Sequence, residues 1–244
     1  MNRLARLTRF LVPPPCFLCG TPCVGDFGMC PRCATDFLGG VDREAPRCPQ
    51  CAIRVREQGQ HCVECLNHPP HFDSAVAGHD FQAVSRHLIH RLKYGRDPGV
   101  LDALTHPLLT RLERSFSLGG EGWPDAVLPM PIHPERRRVR GFNQARLIAD
   151  RLGRRFGLPV YGQAVTRTGS SQSQSGLTAI ERRKSLRNAF EVKQTLPQHV
   201  AIVDDVMTTG SSADALARSL KRAGVSRVSV WVLARTPAPG DIPN

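Results

Sequence analysis

The 244-residue chain has no apolar run near the ~20 residues that a membrane-spanning helix needs, which excludes an integral membrane segment of that kind. Its first residues, MNRLARLTRFLVPPP, interrupt any apolar stretch with Arg3, Arg6 and Arg9, so no secretory signal is expected and the chain is expected in the cytoplasm. Leu4, Leu7, Phe10 and Leu11 would line one side of a short helix ended by Pro13, Pro14 and Pro15; packing on its own domain is preferred over a membrane-surface role. Aromatic residues are scarce at 6%, and after Cys65 there is no cysteine at all. Lysine is nearly absent: 29 of the 33 basic residues are Arg, set against 21 acids, for a formal charge of +12 that favours a polyanionic ligand. With 41% hydrophobic and 22% charged residues the chain is neither disordered nor collagen-like, and its length suits one or two domains.

All nine cysteines lie between Cys16 and Cys65. Eight form four C-x-x-C pairs, Cys16/Cys19, Cys30/Cys33, Cys48/Cys51 and Cys62/Cys65, and the second two pairs repeat the first two at an offset of 32. Two thiolates on one tight turn meeting two from another supply the tetrahedral sulfur set that Zn²⁺ takes. A disulfide scaffold fits poorly with a chain expected in the cytoplasm, and a redox pair would need only one motif. Each unit is too small for its own core, so two structural zinc ions with all four positions filled by sulfur are expected. Sequential pairing closes the shorter loops, while interleaved pairing stays open. Cys23 is a spare thiol, and His61 and His68 would duplicate filled sites. The chain thus divides into an N-terminal segment with a double zinc ribbon over 1–66 and a second domain over 67–244.

The second part alternates strand and helix. An extended stretch over Asp73–Phe81 is followed by a helical face on Val84, Leu88, Ile89 and Leu92, then a helical run over Val100–Phe116 that Pro107 should start, kink or split. Strands are expected at Ala126–Met130, Pro159–Val165, His199–Val203 and around Val228–Leu233. Helices are expected around Ala145–Phe156, closed by Gly157, and Ala213–Ala223, closed by Gly224. This order predicts an α/β fold, a mostly parallel sheet with flanking helices.

Between the strand ending at Val203 and the helix starting near Ser212 lies Asp204-Asp205-Val206-Met207-Thr208-Thr209-Gly210-Ser211-Ser212. A hydroxyl- and Gly-rich turn that opens a helix after a parallel strand presents backbone N–H groups and a positive helix end to a phosphate. The adjacent carboxylates suit ribose hydroxyls and a hydrated Mg²⁺. An N-capped turn would account for two or three of these residues without a ligand.

This segment resembles the ribose-phosphate signature of type I phosphoribosyltransferases, which bind phosphoribosyl pyrophosphate (PRPP). Together with the cysteine head, Leu92-Lys93-Tyr94, Leu128-Pro-Met-Pro131 and Arg140-Gly-Phe-Asn-Gln-Ala145, the chain from about Cys16 to Arg235 resembles the ComF (GntX-like) family of double-zinc-ribbon, phosphoribosyltransferase-like proteins. The resemblance implies that Asp204 and Asp205 hold the ribose diol and Thr208–Ser212 the 5′-phosphate. It gives the pyrophosphate to the loop from Pro131 to Phe142, centred on Arg140 and Gly141. Gln174, Leu177, Arg182 and Phe190 match a further family stretch, which Ser185 departs from where Asn is expected. Such a site acts by positioning and charge stabilisation and requires no dedicated nucleophile, in keeping with the lack of a Ser/His/Asp or Cys/His motif. His133 could donate to a leaving oxygen or be structural.

The positive charge is concentrated. Residues 136–155 carry eight Arg against Asp150, and Arg182, Arg183, Lys184 and Arg187 stand against Glu181. One phosphate and one pyrophosphate do not need so many cations, so single-stranded nucleic acid is a second candidate ligand, with Arg136, Arg137, Arg138, Arg146, Arg154 and Arg155 as contacts. Aromatics near this patch are limited to Phe142, Phe156 and Phe190, and a solvated basic helix face is the plainer alternative. The ComF resemblance implies a role in natural transformation, with DNA-uptake proteins as partners. Three readings follow: a PRPP-binding accessory protein for incoming single-stranded DNA, an active phosphoribosyltransferase on an unidentified acceptor, and a zinc-ribbon scaffold with a silent site. The resemblance to phosphoribosyltransferases implies that a hood over the site chooses the acceptor; with the last strand expected to end near Ala234 and ten residues after it, the hood is expected from elsewhere, residues 67–124 being favoured.

Overall fold

The computed structural model describes residues 13–39, 45–95, 98–117, 122–168 and 189–238. The apolar N-terminal stripe, Gln174, Leu177 and the basic run 182–187 lie outside them. In chain order the elements are α1 (Pro31–Ala34), α2 (Val63–Asn67), β1 (Ser74–Asp80), α3 (Ala83–Gly95), α4 (Pro98–Ser117), β2 (Ala126–Pro129), α5 (Pro134–Arg140), α6 (Gln144–Phe156), β3 (Val165–Arg167), β4 (Phe190–Val192), β5 (His199–Met207), α7 (Ser211–Arg222) and β6 (Arg227–Arg235). The main sheet is parallel throughout, in the order β1-β6-β5-β2, and β3 and β4 form a separate antiparallel pair.

Both faces of the sheet are covered, which explains the near-continuous apolar runs of β5 and β6. Ala75, Ala77, Leu128, Val200, Ile202, Val228, Val230 and Val232 point to one side, against Ala213, Leu216, Ala217 and Leu220 of α7. Val127, Ala201, Val203, Trp231 and Leu233 point to the other, against α3, α4 and Ile148, Ala149 and Leu152 of α6. The α6 helix is capped by Asn143, whose side chain accepts from the Ala145 N–H, and closed by Gly157 in the left-handed conformation.

The two cysteine units are structural copies. Cys16 N–H donates to Thr21 O and Gly20 N–H to Cys16 O; at the offset of 32, Cys48 N–H donates to Ile53 O and Ala52 N–H to Cys48 O. Cys23 occupies the place that Val55 takes in the second unit, each donating to a Pro carbonyl two residues before the first ligand, so it is a framework position and not a ligand. The copies nevertheless pack on opposite faces of the sheet. Cys16, Met29 and Phe37 join the α3/α4 side, while Cys48, Cys51, Cys65 and Phe72 join the α7 side.

Pro107 lies inside α4, which runs on from Pro98 to Ser117, so it neither starts nor splits the helix; the Thr105 hydroxyl donates to Leu101 O there. Three expectations are corrected. The stretch 159–165 is a single bridge between Val160 and Val127, with β3 beginning only at Val165, because Gly162 and its neighbours turn the chain. The expected loop 131–142 contains the helix α5, capped at its start by His133, whose Nδ1 accepts from the Glu135 N–H, and at its end by Gly141 at φ 73°. Finally β5 runs past Val203 to Met207, because its ladder with β6 continues through Asp204↔Val232 and Met207↔Arg235.

Candidate functional site

The eight paired cysteines gather into two groups, Cys16, Cys19, Cys30 and Cys33, and Cys48, Cys51, Cys62 and Cys65, with all sulfurs of a group within 4.8 Å of one another. Pairing is therefore sequential. A tetrahedral ion with Zn–S bonds of ~2.3 Å separates its sulfurs by about 3.8 Å, and the Cys19–Cys30 and Cys51–Cys62 Sγ atoms stand 3.7 and 3.5 Å apart. A hydrogen bond from Cys51 draws the Cys48 thiol down to about 4, and the same bond, with burial, pushes Cys51 up. Such crowding of sulfur suits a cation at the centre, and both groups could hold Zn²⁺. His61 and His68 are exposed and belong to neither group.

A second cluster forms at the carboxyl end of the sheet. Because β5 extends to Met207, Asp204, Asp205, Val206 and Met207 belong to the strand, and the turn proper is Thr208-Thr209-Gly210. The two carboxylates are partly buried and unequal. Burial, and then Asp205, push the Asp204 carboxyl up to about 7, although it accepts from the Asp205 N–H at 2.8 Å. Asp205 pairs with Lys93 Nζ at 3.3 Å.

The turn opens α7 through Gly210, at φ 79°, which as N-cap brings no side chain to the first amides of the helix. Thr209 Oγ1 lies 2.8 Å from Ser211 Oγ and accepts from the Ser211 N–H at 3.4 Å. The rim thus carries hydroxyls and amides at the positive end of a 12-residue helix, a setting that attracts an anion.

Side chains from distant segments complete the cluster. The buried Gln144 at the start of α6 accepts from Arg140 Nη1 and donates to Lys93 O, each at 3.5 Å, which ties Arg140 to the lysine facing Asp205. Asn143 Nδ2 donates to Met130 O at 3.0 Å and holds the start of α6 beside the end of β2. From β3, Arg167 lies within electrostatic reach of Asp204; burial and then Arg136 lower its pKa, and Asp204 opposes them. No sequence pattern marks Lys93, Gln144 or Arg167 as a site residue by itself. Lys93 carried a signal in the Leu92-Lys93-Tyr94 stretch, whereas Arg167 carried none because a lone Arg on a three-residue strand has no pattern.

The candidate nucleic-acid contacts separate into two sets. On α5, Arg136, Arg137 and Arg138 are exposed. On α6, Arg146 Nε bonds Asp150 at 2.7 Å, Arg151 pairs with Asp102 at 2.9 Å and Arg155 pairs with Glu113; Arg154 is exposed. Much of the apparent excess on α6 is therefore answered by nearby acids. No helix among the described residues is long and apolar enough to cross a membrane.

No family model matches the chain. It is 34% identical to DNA utilization protein YhgH of Escherichia coli K12, across 92% of this chain and 98% of that protein. It is 32% identical to competence protein F of Haemophilus influenzae, across 85% and 90%. Competence protein ComFC of Streptococcus pneumoniae shares 26% over 43% of this chain and 46% of its own length.

Proposed function

Since the chain belongs to the ComF family, sharing 32% identity with competence protein F over 85% of its length, we propose that it is a PRPP-binding, phosphoribosyltransferase-like protein that assists the handling of single-stranded DNA in natural transformation, in the cytoplasm. The observation that carries the PRPP half is the carboxylate pair at the end of β5 running directly into a glycine-capped turn at a helix N-terminus. Asp204 and Asp205 accept the ribose hydroxyls, the Thr208–Ser212 amides and hydroxyls take the 5′-phosphate, and Arg140 with Gly141 faces the pyrophosphate. The site reading keeps the division between a zinc head over 1–66 and a ligand-binding body over 67–244.

Mg²⁺ would supply counter-charge to the pyrophosphate, with the carboxylate pair as acceptors for its hydration shell. Lys93 and Arg167 hold the two carboxylates in place and set how readily Asp204 ionises. If turnover occurs, these cations and the arginines of α5 stabilise the separating pyrophosphate.

Calorimetry with PRPP and Mg²⁺ tests this: the wild type should bind, and Asp204→Asn with Asp205→Asn should weaken binding at least tenfold. Unchanged affinity would reject the assignment.

The DNA half is favoured by the names of the competence relatives and by the exposed arginines of α5. Pyrophosphate release with one acceptor, in a screen of bases and oligonucleotides, would favour the transferase alternative. Zinc-dependent partner binding without PRPP affinity would favour a scaffold.

A further inference from the structure

The two zinc ribbons, although copies, are attached to the α/β body in unlike ways. The second ribbon docks on the carboxyl end of the sheet, where Asp80, Arg235 and Met207 lie side by side on β1, β6 and β5. Asp80 takes Arg47 at 2.8 Å and Arg54 in a shorter contact, the two arginines flanking the Cys48–Cys51 knuckle. Burial would raise the Asp80 carboxyl and is outweighed by these two arginines, which leaves it below the ordinary range. Pro49 O, inside the knuckle, accepts from the Ala75 N–H on the free edge of β1.

Arg235 is the centre of this junction. Its side chain is buried, and its Nε donates to the carbonyl of the zinc ligand Cys51 at 2.9 Å. Its Nη1 donates to Met207 O at 3.1 Å, to Thr208 O in a shorter contact and to Thr236 O at 3.0 Å. One guanidinium thus joins a metal knuckle to the last residue of β5 and the first residue of the turn. The segment after Cys65 adds one contact to the same turn and one to the start of α7. The Phe72 ring lies 3.9 Å from where a Cβ on Gly210 would stand, and Asp214 in the first turn of α7 accepts from His71 N–H at 2.7 Å.

The first ribbon is built onto α3, α4 and β1 instead. Arg91 donates to Phe17 O at 2.6 Å, the Phe27 ring meets His106 at 5.0 Å and Phe37 stacks on His79 at 4.4 Å. No described contact joins it to the Thr208–Ser212 turn.

We propose that Arg235 is a positioning residue that couples the second zinc knuckle to the phosphate turn, so that metal at Cys48, Cys51, Cys62 and Cys65, and not at the first site, sets the turn's competence to hold an anion. The planar guanidinium fixes Nε relative to Nη1, so movement of the Cys51 carbonyl shifts the group that holds the Met207 and Thr208 carbonyls. The coupling is reciprocal: an anion that orders the turn must also hold the second metal more tightly. Its affinity arm rests on the ribose-phosphate reading of the turn; its structural arm does not.

The test uses the full chain loaded with zinc, as wild type, Arg235→Met, Arg235→Lys and Arg91→Met. Readouts are calorimetry with ribose 5-phosphate, hydrogen exchange of the 208–212 amides and the rate of zinc release to a colorimetric chelator. Arg235→Met is expected to retain two zinc ions, bind at least tenfold more weakly, exchange faster over 208–212 and release one zinc faster. Arg235→Lys should recover part of each effect, and Arg91→Met should stay within twofold of wild type in affinity. In the wild type, saturating ribose 5-phosphate should slow the release of one zinc of the two, a result that needs no variant to fold. Arg235→Met with wild-type affinity and exchange would overturn the coupling, as would ribose 5-phosphate slowing neither release or both alike. A wild type that does not bind ribose 5-phosphate would overturn the functional reading alone, and exchange at 208–212 with the zinc-release rate would then decide the coupling by themselves.

Discussion

In the proposed site, Asp204 would serve binding at the expense of stability. With a folded pKa of about 7 against an ordinary 3.8, the folded protein keeps a proton between those values that the unfolded chain has lost. Stability contributed by this group is therefore present at low pH and declines as pH rises through that window. Asp204→Asn, which removes the buried charge, should melt higher than wild type at pH 8 and alike at pH 4, by scanning fluorimetry at both. Equal melting at pH 8 would show that Lys93 and Arg167 already offset the burial. The same titration predicts that PRPP affinity falls as pH drops below 7, since a protonated carboxyl offers fewer acceptors to the ribose hydroxyls. Gly210 makes the complementary case. A Cβ there meets nothing closer than 3.7 Å, so the obstacle to a side chain is the backbone at φ 79°. Gly210→Ala should cost about 1–2 kcal/mol, a fall in Tm of roughly 2–4 °C per kcal/mol for a chain of this size.

At the scale of elements, α5 and α6 have similar arginine content and different prospects. The α6 arginines at 146, 151 and 155 are engaged by Asp150, Asp102 and Glu113, whereas 136, 137 and 138 of α5 are exposed. If single-stranded DNA follows this surface, replacing Arg136, Arg137 and Arg138 together by Ala should lower the slope of log affinity against log salt by as much as about 2, at ~0.7 per phosphate contact. Arg155→Ala should leave the slope nearly unchanged. Fluorescence anisotropy with a labelled oligonucleotide across a salt series reads both, and no binding at low salt would remove DNA as a ligand. The helix α5 itself was hidden in the sequence. Seven residues, four of them Arg, offer no apolar face, so only its caps, His133 and Gly141, distinguish it from the expected loop. The end of β5 was hidden for a related reason, since two acids interrupt the apolar run while the ladder with β6 carries on.

For the whole molecule, the metal head is part of the core. Cys48, Cys51 and Cys65 pack with β-strand and α7 residues on one face of the sheet, and Cys16 with α3 and α4 on the other. Stripping zinc should therefore lower the Tm of a single cooperative transition of the entire chain, because structural zinc sites contribute directly to folding. Two separate melting transitions, with only the first sensitive to chelator, would contradict this. Two bound Zn²⁺ would also change the charge balance: with eight thiolates they would take four charges off the formal +12, leaving about +8, with the excess on the α/β body.

Composition and spacing alone determined that there are two four-cysteine units, that the body alternates strand and helix, and that an acid pair leads into a glycine turn, since each is a local pattern whose chemistry does not depend on its neighbours. The tertiary structure alone decided that the twin ribbons take opposite faces of the sheet, and that Lys93 and Arg167 converge on Asp205 and Asp204, with Gln144 bonded to the Lys93 carbonyl. It alone placed Arg235 between a zinc knuckle and the turn. Those are contacts between residues tens to hundreds of positions apart, brought together by burial of both sheet faces, and no periodicity along the chain records them.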